Sequence, residues 1–493
     1  MMIRPLATAA LLAALPAAGQ DRPSDEDLFG GTASPPAQSG PAAAAPQRPS
    51  DEQILEGRVG GLSSSGPTVK EDPLKIGGLL YLRSQGQWQQ GLPPSRWSLT
   101  APSLVDGYMD VRPNDRVRGF LLARLSYDLS ASTSGSSTTS LRLDDASGGS
   151  GTFLGTSLQN PTLQLDQLWV AFDVARTIFV TAGKQHVKWG VSRFWNPTDF
   201  LHPSARDPLS PFDARTGQTM LKLHVPWEKN GWNFYGMMLF DESQQAGKLG
   251  RIGAAGRVEM VLGTAEIGID GLVQRGRDAR LGIDFSAGIW DLDVYGEAAL
   301  RKGTDVPRVR GVYDTYSPDD FRPSGTLGAS WSYKYNDEDT FTLGAEYFYN
   351  GAGYSDSSIY PALLAQQFVD RLGHFTPFYL GKHYGGAYLL LPKPGRWNDT
   401  TFTFSAIGNF SDQTMVARLD YSVLLLTYLT FEAYVAGRFG QRGGEFRFSV
   451  PASAYPQLLS ALPLQSQSLL AGTLQSLSAP PVIDFGIGLR VSL

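Results

Sequence analysis

Between Thr177 and Trp189 three basic side chains, Lys184, His186 and Lys188, stand at alternate positions. In an extended chain this puts them on one face about 7 Å apart, a ladder that passes an anion from cation to cation without full dehydration. Arg116, Arg118, Arg124, Lys222 and His224 share that phase on neighbouring extended segments, and Arg193, Arg206 and Arg215 sit on the stretch between. Further along, Glu266, Asp270, Asp284, Asp293 and Glu297 form an acidic set. The chemistry on offer is electrostatic: a basic wall opposing an acidic one orders water and polar solutes across a passage and draws anions along the basic side. The alternative is that these charges pair across strands and merely solvate the wall.

Catalytic chemistry is poorly supplied. The five histidines are His186, His202, His224, His374 and His383, and no Ser or Asp stands at a spacing that predicts an activated nucleophile or a metal set. There is no cysteine, hence no thiol nucleophile, disulfide framework or lipid-modified Cys. No Gly-rich phosphate loop occurs in a strand-to-helix context. An enzyme, a metal and a cofactor are therefore not expected. The net charge of -5, without a clustered basic stripe, argues against a nucleic-acid partner.

Residues in this phase need strands to hold them. From Leu74 onward the chain reads as short alternating segments, approximately 75–88, 102–112, 115–129, 163–174, 177–189, 217–226, 231–241, 253–263, 265–274, 280–290, 292–302, 325–336, 339–350, 384–391, 400–410, 413–424, 428–440 and 481–493. These make about 18 strands. Connections after even-numbered strands are mostly tight and those after odd-numbered strands include the long ones, the asymmetry of a transmembrane barrel with both chain ends in the periplasm. One face of each strand is apolar: Leu281, Ile283, Phe285 and Ile289 alternate with Arg280, Asp284 and Ser286. The expected fold is all-β, a single closed antiparallel transmembrane β-barrel over 74–493 with long extracellular loops. Outer-membrane lipid and lipopolysaccharide are its expected surroundings.

Residues 1–20 carry the charged, apolar and small-residue regions of a signal peptide, which implies export. Residues 21–73 are rich in Pro, Ala, Gly and Ser and read as a disordered periplasmic tether. The phrase Arg-Pro-Ser-Asp-Glu occurs there at Arg22 and again at Arg48, either as docking sites for a periplasmic partner or as a chance duplication in a linker. In the loops, 361–373 has helical spacing and is expected to form a helix, and the uncharged, Leu-rich run between Arg447 and Asp484 is expected to plug the mouth or meet a partner.

The last strand, alternating Ile483, Phe485, Ile487, Leu489, Val491 and Leu493 against polar and small residues, resembles the C-terminal assembly signal of Gram-negative outer-membrane barrels, although it ends in Leu rather than Phe. The loop with Trp189, Gly190, Arg193, Phe194, Trp195, Asn196, Pro197, Thr198, Asp199 and Phe200 resembles a motif of outer-membrane porins, including polysaccharide-export barrels of the alginate-export kind. That resemblance implies a constriction loop folded into the lumen, with Arg193, Phe194, Trp195, Asn196 and Asp199 at the narrowing. The expected function is an outer-membrane channel for a hydrophilic, carbohydrate or anionic substrate, in export of a polysaccharide with a periplasmic partner. Uptake of small solutes and a structural or adhesion barrel are the competing readings.

Overall fold

The computed structural model describes residues 73–130, 161–202, 204–210, 213, 215–240, 252–312, 314–336, 339–370, 372–460, 467, 474 and 477–493. The signal segment and the tether up to residue 72, with both Arg-Pro-Ser-Asp-Glu phrases, lie outside the described residues. Among the described residues eighteen strands close one antiparallel barrel. They are β1 Leu74–Gln89, β2 Pro102–Asn114, β3 Val117–Asp128, β4 Thr162–Val174, β5 Ile178–Gln185, β6 Gln218–Trp227, β7 Trp232–Phe240, β8 Ile252–Leu262 and β9 Ala265–Gln274. The second half is β10 Arg277–Ile289, β11 Leu292–Lys302, β12 Phe321–Lys334, β13 Thr340–Asn350, β14 His383–Pro392, β15 Thr400–Asn409, β16 Thr414–Leu426, β17 Leu429–Gly440 and β18 Pro481–Ser492. Each strand pairs with its neighbours in sequence, and the ring closes where β1 meets β18, from Leu79 opposite Ser492 to Gln89 opposite Pro481. The count and the closed antiparallel class agree with the sequence reading.

The two faces of the wall are inverted relative to a water-soluble protein. On β10, Leu281, Ile283, Phe285 and Ile289 are exposed, whereas Arg280 and Asp284 are buried inside. Trp227, Trp290, Trp331, Tyr333, Trp397 and Tyr428 are exposed near the short turns, an aromatic girdle at one membrane interface. Such a surface is stable only in hydrocarbon, and closure leaves no unpaired edge there. The chain is thus a barrel of the outer membrane of a Gram-negative bacterium, with its C-terminus and short turns on the periplasmic side.

Three long loops on the opposite side share a small apolar core. The expected helix forms as α1 Tyr360–Asp370, and a second, α2 Tyr455–Ser460, lies in the Leu-rich stretch. Tyr360, Leu363, Leu364 and Ala365 of α1 pack with Val309 from the loop after β11 and with Phe448, Leu458, Leu474 and Leu477 from the loop after β17. Leu462, Leu464, Leu469 and Leu470 lie outside the described residues. The leucines counted in the sequence as a plug therefore serve, where described, to weld extracellular loops together.

Ile283→Arg, mid-strand on the lipid face, is expected to lower unfolding free energy in lipid vesicles by about 2–4 kcal/mol. Denaturant titration checks this, and a loss under about 0.5 kcal/mol, the range of an ordinary surface change, contradicts the assigned face.

Candidate functional site: a loop across the lumen

β5 stops at Gln185, and the chain to Gly217 turns into the barrel. Two glutamates on the wall hold it there. Glu297 of β11 accepts Val191 N–H at 2.9 Å and Ser192 N–H at 2.7 Å on Oε1, and Thr198 N–H at 3.1 Å with the Thr198 hydroxyl at 2.7 Å on Oε2. Glu346 of β13 accepts the N–H groups of Arg193, Phe194 and Trp195 at 2.9, 3.2 and 3.0 Å. Successive amides converging on a carboxylate form an anion-binding nest, here closed by the protein's own side chains. Gly190, at φ +91°, allows the approach, because a Cβ there would lie 2.6 Å from Glu297 Oε1.

Aromatic side chains then fix both flanks of the loop. Trp189, Phe200 and Leu201 pack on Met220, Met237, Leu239 and Leu272 of one wall. Phe194 and Trp195, fully buried, pack on the other wall with Phe348, Tyr384 and Tyr388. Trp195 stacks on Phe348 at 5.4 Å, and its indole N–H donates to the Phe378 carbonyl at 3.0 Å. Glycine on the wall makes the room: a Cβ at Gly386 would come within 2.5 Å of the Phe194 ring. The loop crosses the lumen to reach β11 and β13.

Its polar residues continue a buried chain of contacts. Arg124 of β3 binds Asp106 at 3.0 Å and approaches Asp166 at 3.5 Å. Asp166 meets His186 at 3.2 Å, His186 meets His202 at 3.3 Å, and His202 meets Asp199 at 3.2 Å. Arg215 then bonds Asp199 at 2.8 Å and Asp213 at 2.6 Å. Asn196 donates to the Ser192 carbonyl at 2.8 Å, and Arg193 lies over the Tyr388 ring at 3.8 Å.

The remaining sequence-selected residues are distributed as follows. Arg118 pairs with Asp110 at 2.9 Å, and Arg116, in the turn before β3, pairs with Asp173 at 3.1 Å. Lys222 and His224 share the inner phase of β6 with buried Met220, and His224 meets Asn233 at 2.9 Å. Asp270 and Asp284 converge on Arg257 at 2.8 and 2.6 Å. Glu266 and Asp293 stand near the periplasmic ends of β9 and β11. The basic residues of β3 thus have acids beside them, and the central acids have Arg257 or the loop amides.

Lys184 requires a correction. On β5, Gly183 lies opposite Trp169 and Met220, both buried inside, so Lys184 lies opposite Leu168, which is exposed on the lipid side. His186 and Lys188 follow the end of the strand and do not continue its alternation. The three cations therefore do not form one inner ladder. Glu346 and Arg257 were missed by the sequence reading, although each falls on the inner phase of its strand.

A second carboxylate pair lies under the extracellular loops. Asp412 accepts Glu445 N–H at 2.6 Å and the Tyr360 hydroxyl at 3.2 Å, while Glu445 accepts the Tyr384 hydroxyl at 2.8 Å and the Asn409 amide at 2.7 Å. Burial, reinforced by neighbouring Asp412, pushes the Glu445 carboxyl up to about 8. Asp412 is raised as well, again chiefly by burial.

No family model and no curated protein matches the chain. Among solved structures it is similar to OccAB1 of Acinetobacter baumannii, at 9% identity and TM-score 0.48 over 85% of this chain and 96% of that one. It is also similar to the outer membrane protein OpdK of Pseudomonas aeruginosa, at 8% identity and TM-score 0.47 over 86% and 99%. A mutant porin of Rhodopseudomonas blastica gives 9% identity and TM-score 0.40 over 85% and 100%. At these identities the likeness carries nothing about substrate or direction.

Glu346→Ala leaves three loop amides without their acceptor, at about 1–3 kcal/mol each. The loop should loosen and single-channel conductance in planar bilayers should rise; an unchanged current contradicts the anchoring role. The extracellular pair gives a pH dependence. Because the folded Glu445 value lies above its ordinary 4.5, its stabilising contribution is complete below that value and is lost as pH rises through about 8. Amide hydrogen exchange in 441–450 should speed up between pH 7 and 9 beyond its intrinsic increase, and Glu445→Gln should remove the excess.

Proposed function

We propose that the protein is an outer-membrane channel through which small hydrophilic solutes enter by diffusion, with the loop between β5 and β6 setting the size of what passes. The observation that carries this is the crossing of an eighteen-strand barrel by one loop tied to Glu297 and Glu346. A barrel of this strand number encloses far more space than its wall side chains fill, so a crossing loop divides an otherwise wide lumen. The wall around it is rich in buried ion pairs, which suits a hydrated path better than an apolar one. Export of a polysaccharide, with a partner on the tether phrases, gains no support from this geometry.

Purified protein in liposomes should admit monosaccharides and small organic acids at rates that fall steeply with solute size, and exclude oligosaccharides. Admission of long oligosaccharides at comparable rates supports the export reading instead. A barrel that assembles in the bilayer yet passes neither ions nor sugars overturns the channel reading.

A further inference from the structure

Two histidines meet where the crossing loop passes the end of β5. His186 Nδ1 lies 3.3 Å from His202 Nε2, and each ring is held at its other nitrogen, His186 Nε2 by Asp166 of β4 at 3.2 Å and His202 Nδ1 by both oxygens of Asp199 at 3.2 Å. Arg215 on Asp199 and Arg124 near Asp166 keep the two acids ionised. An ionised carboxylate can only accept, so in a neutral ring the proton sits on the nitrogen that faces the acid. The two nitrogens that face each other then both carry lone pairs. The ring planes are 30° apart and the centres 5.4 Å, well beyond the nitrogen separation, so the rings meet edge to edge rather than face to face.

Facing lone pairs repel, and a cation between them makes the contact favourable. A shared proton forms an N–H hydrogen bond whose usual length is about 2.9–3.0 Å, shorter than this contact. A tetrahedral ion with each nitrogen at about 2.0–2.1 Å holds the pair about 3.3–3.4 Å apart. Metal-bound histidines give their second N–H to a carboxylate, as both rings do here. Asp166 Oδ2 is buried without a hydrogen bond of its own, and so can accept one from a water on the ion. The four aspartates along this chain of contacts outnumber its two arginines, and Arg206 near Asp213 still leaves the acids in excess.

We propose that His186 and His202 bind a divalent transition-metal ion, zinc fitting the spacing best, with Asp166 and Asp199 as the carboxylates behind them. Neutral imidazoles select zinc, copper or nickel over magnesium and calcium, which take oxygen ligands. No third ligating side chain joins the pair among the described residues, so water completes the coordination of the ion. The ligands come from different parts of the structure: His186 directly follows β5, and His202 stands 16 residues further along in the loop. A bound ion therefore ties the crossing loop to the wall at a point remote from Glu297 and Glu346. The site stands whether or not the barrel conducts.

Isothermal titration of the full-length, untagged protein in detergent micelles with zinc chloride at pH 7.5 tests the site directly. Wild type is expected to bind one zinc ion per chain, Asp199→Asn about tenfold more weakly and His202→Ala at least a hundredfold more weakly. Heat-modifiable migration on gels shows which variants remain folded. Cobalt chloride gives a second reading on wild type alone, because a four-coordinate ion on two imidazoles absorbs visible light far more strongly than a six-coordinate ion on the surface. Absence of zinc binding by wild type overturns the site, as does equal binding by folded His202→Ala, which marks adventitious surface metal. A weak, six-coordinate cobalt spectrum overturns the tetrahedral coordination even if no variant folds.

Discussion

Two glutamates inside the barrel, Glu297 and Glu346, decide what kind of barrel this is. A carboxylate buried against a wall is costly unless its oxygens are fully hydrogen-bonded, and here the partners are backbone amides of the loop that crosses the lumen. The dependence runs both ways. Without the loop these two carboxylates, two strands apart on one wall, would lose the amides that satisfy them, and without the carboxylates the loop's amides would be left in a confined space. The aromatic packing of Phe194, Trp195 and Phe200 adds burial, but the direction of the backbone between Gly190 and Thr198 is set by the carboxylates.

That constraint explains other features of the wall. Gly328 and Gly386 flank Glu346 on the adjacent strands: Gly386, with Gly190 of the loop, opens the space that the loop fills, and Gly328 makes room for Tyr295, whose hydroxyl donates to Glu346. Ion pairs elsewhere inside are short-range and local, so the electrostatics of the passage arise from clusters. The loops at the extracellular end are joined by their own apolar core and by the pair formed by Glu445 and Asp412.

Much of the architecture was legible because membrane strands obey a strict alternation and because turn lengths follow parity. The lipid face of β10 could be read directly from Leu281, Ile283 and Phe285 against Arg280 and Asp284. Lys184 was misread because its phase was taken from neighbouring cations, while the fold takes it from Trp169 and Met220 across the sheet. Glu346 was visible as an inner-face acid of β13, yet its partners are backbone groups more than a hundred residues away, which no local pattern announces. The histidine pair was hidden for a related reason: His186 and His202 meet only once the loop has folded past the end of β5.

The central claim is that the loop after β5 lies across the lumen against the far wall. Ser192 Oγ and Thr326 Oγ1 lie 2.5 Å apart there, and the native chain contains no cysteine that could compete. The most direct measurement is disulfide formation in Ser192→Cys with Thr326→Cys, assayed in intact outer membranes under mild oxidant and compared with each single substitution. The loop placement predicts near-complete intramolecular cross-linking of the double variant with the barrel still assembled. A well-assembled barrel whose two thiols stay free under the same oxidant would contradict it.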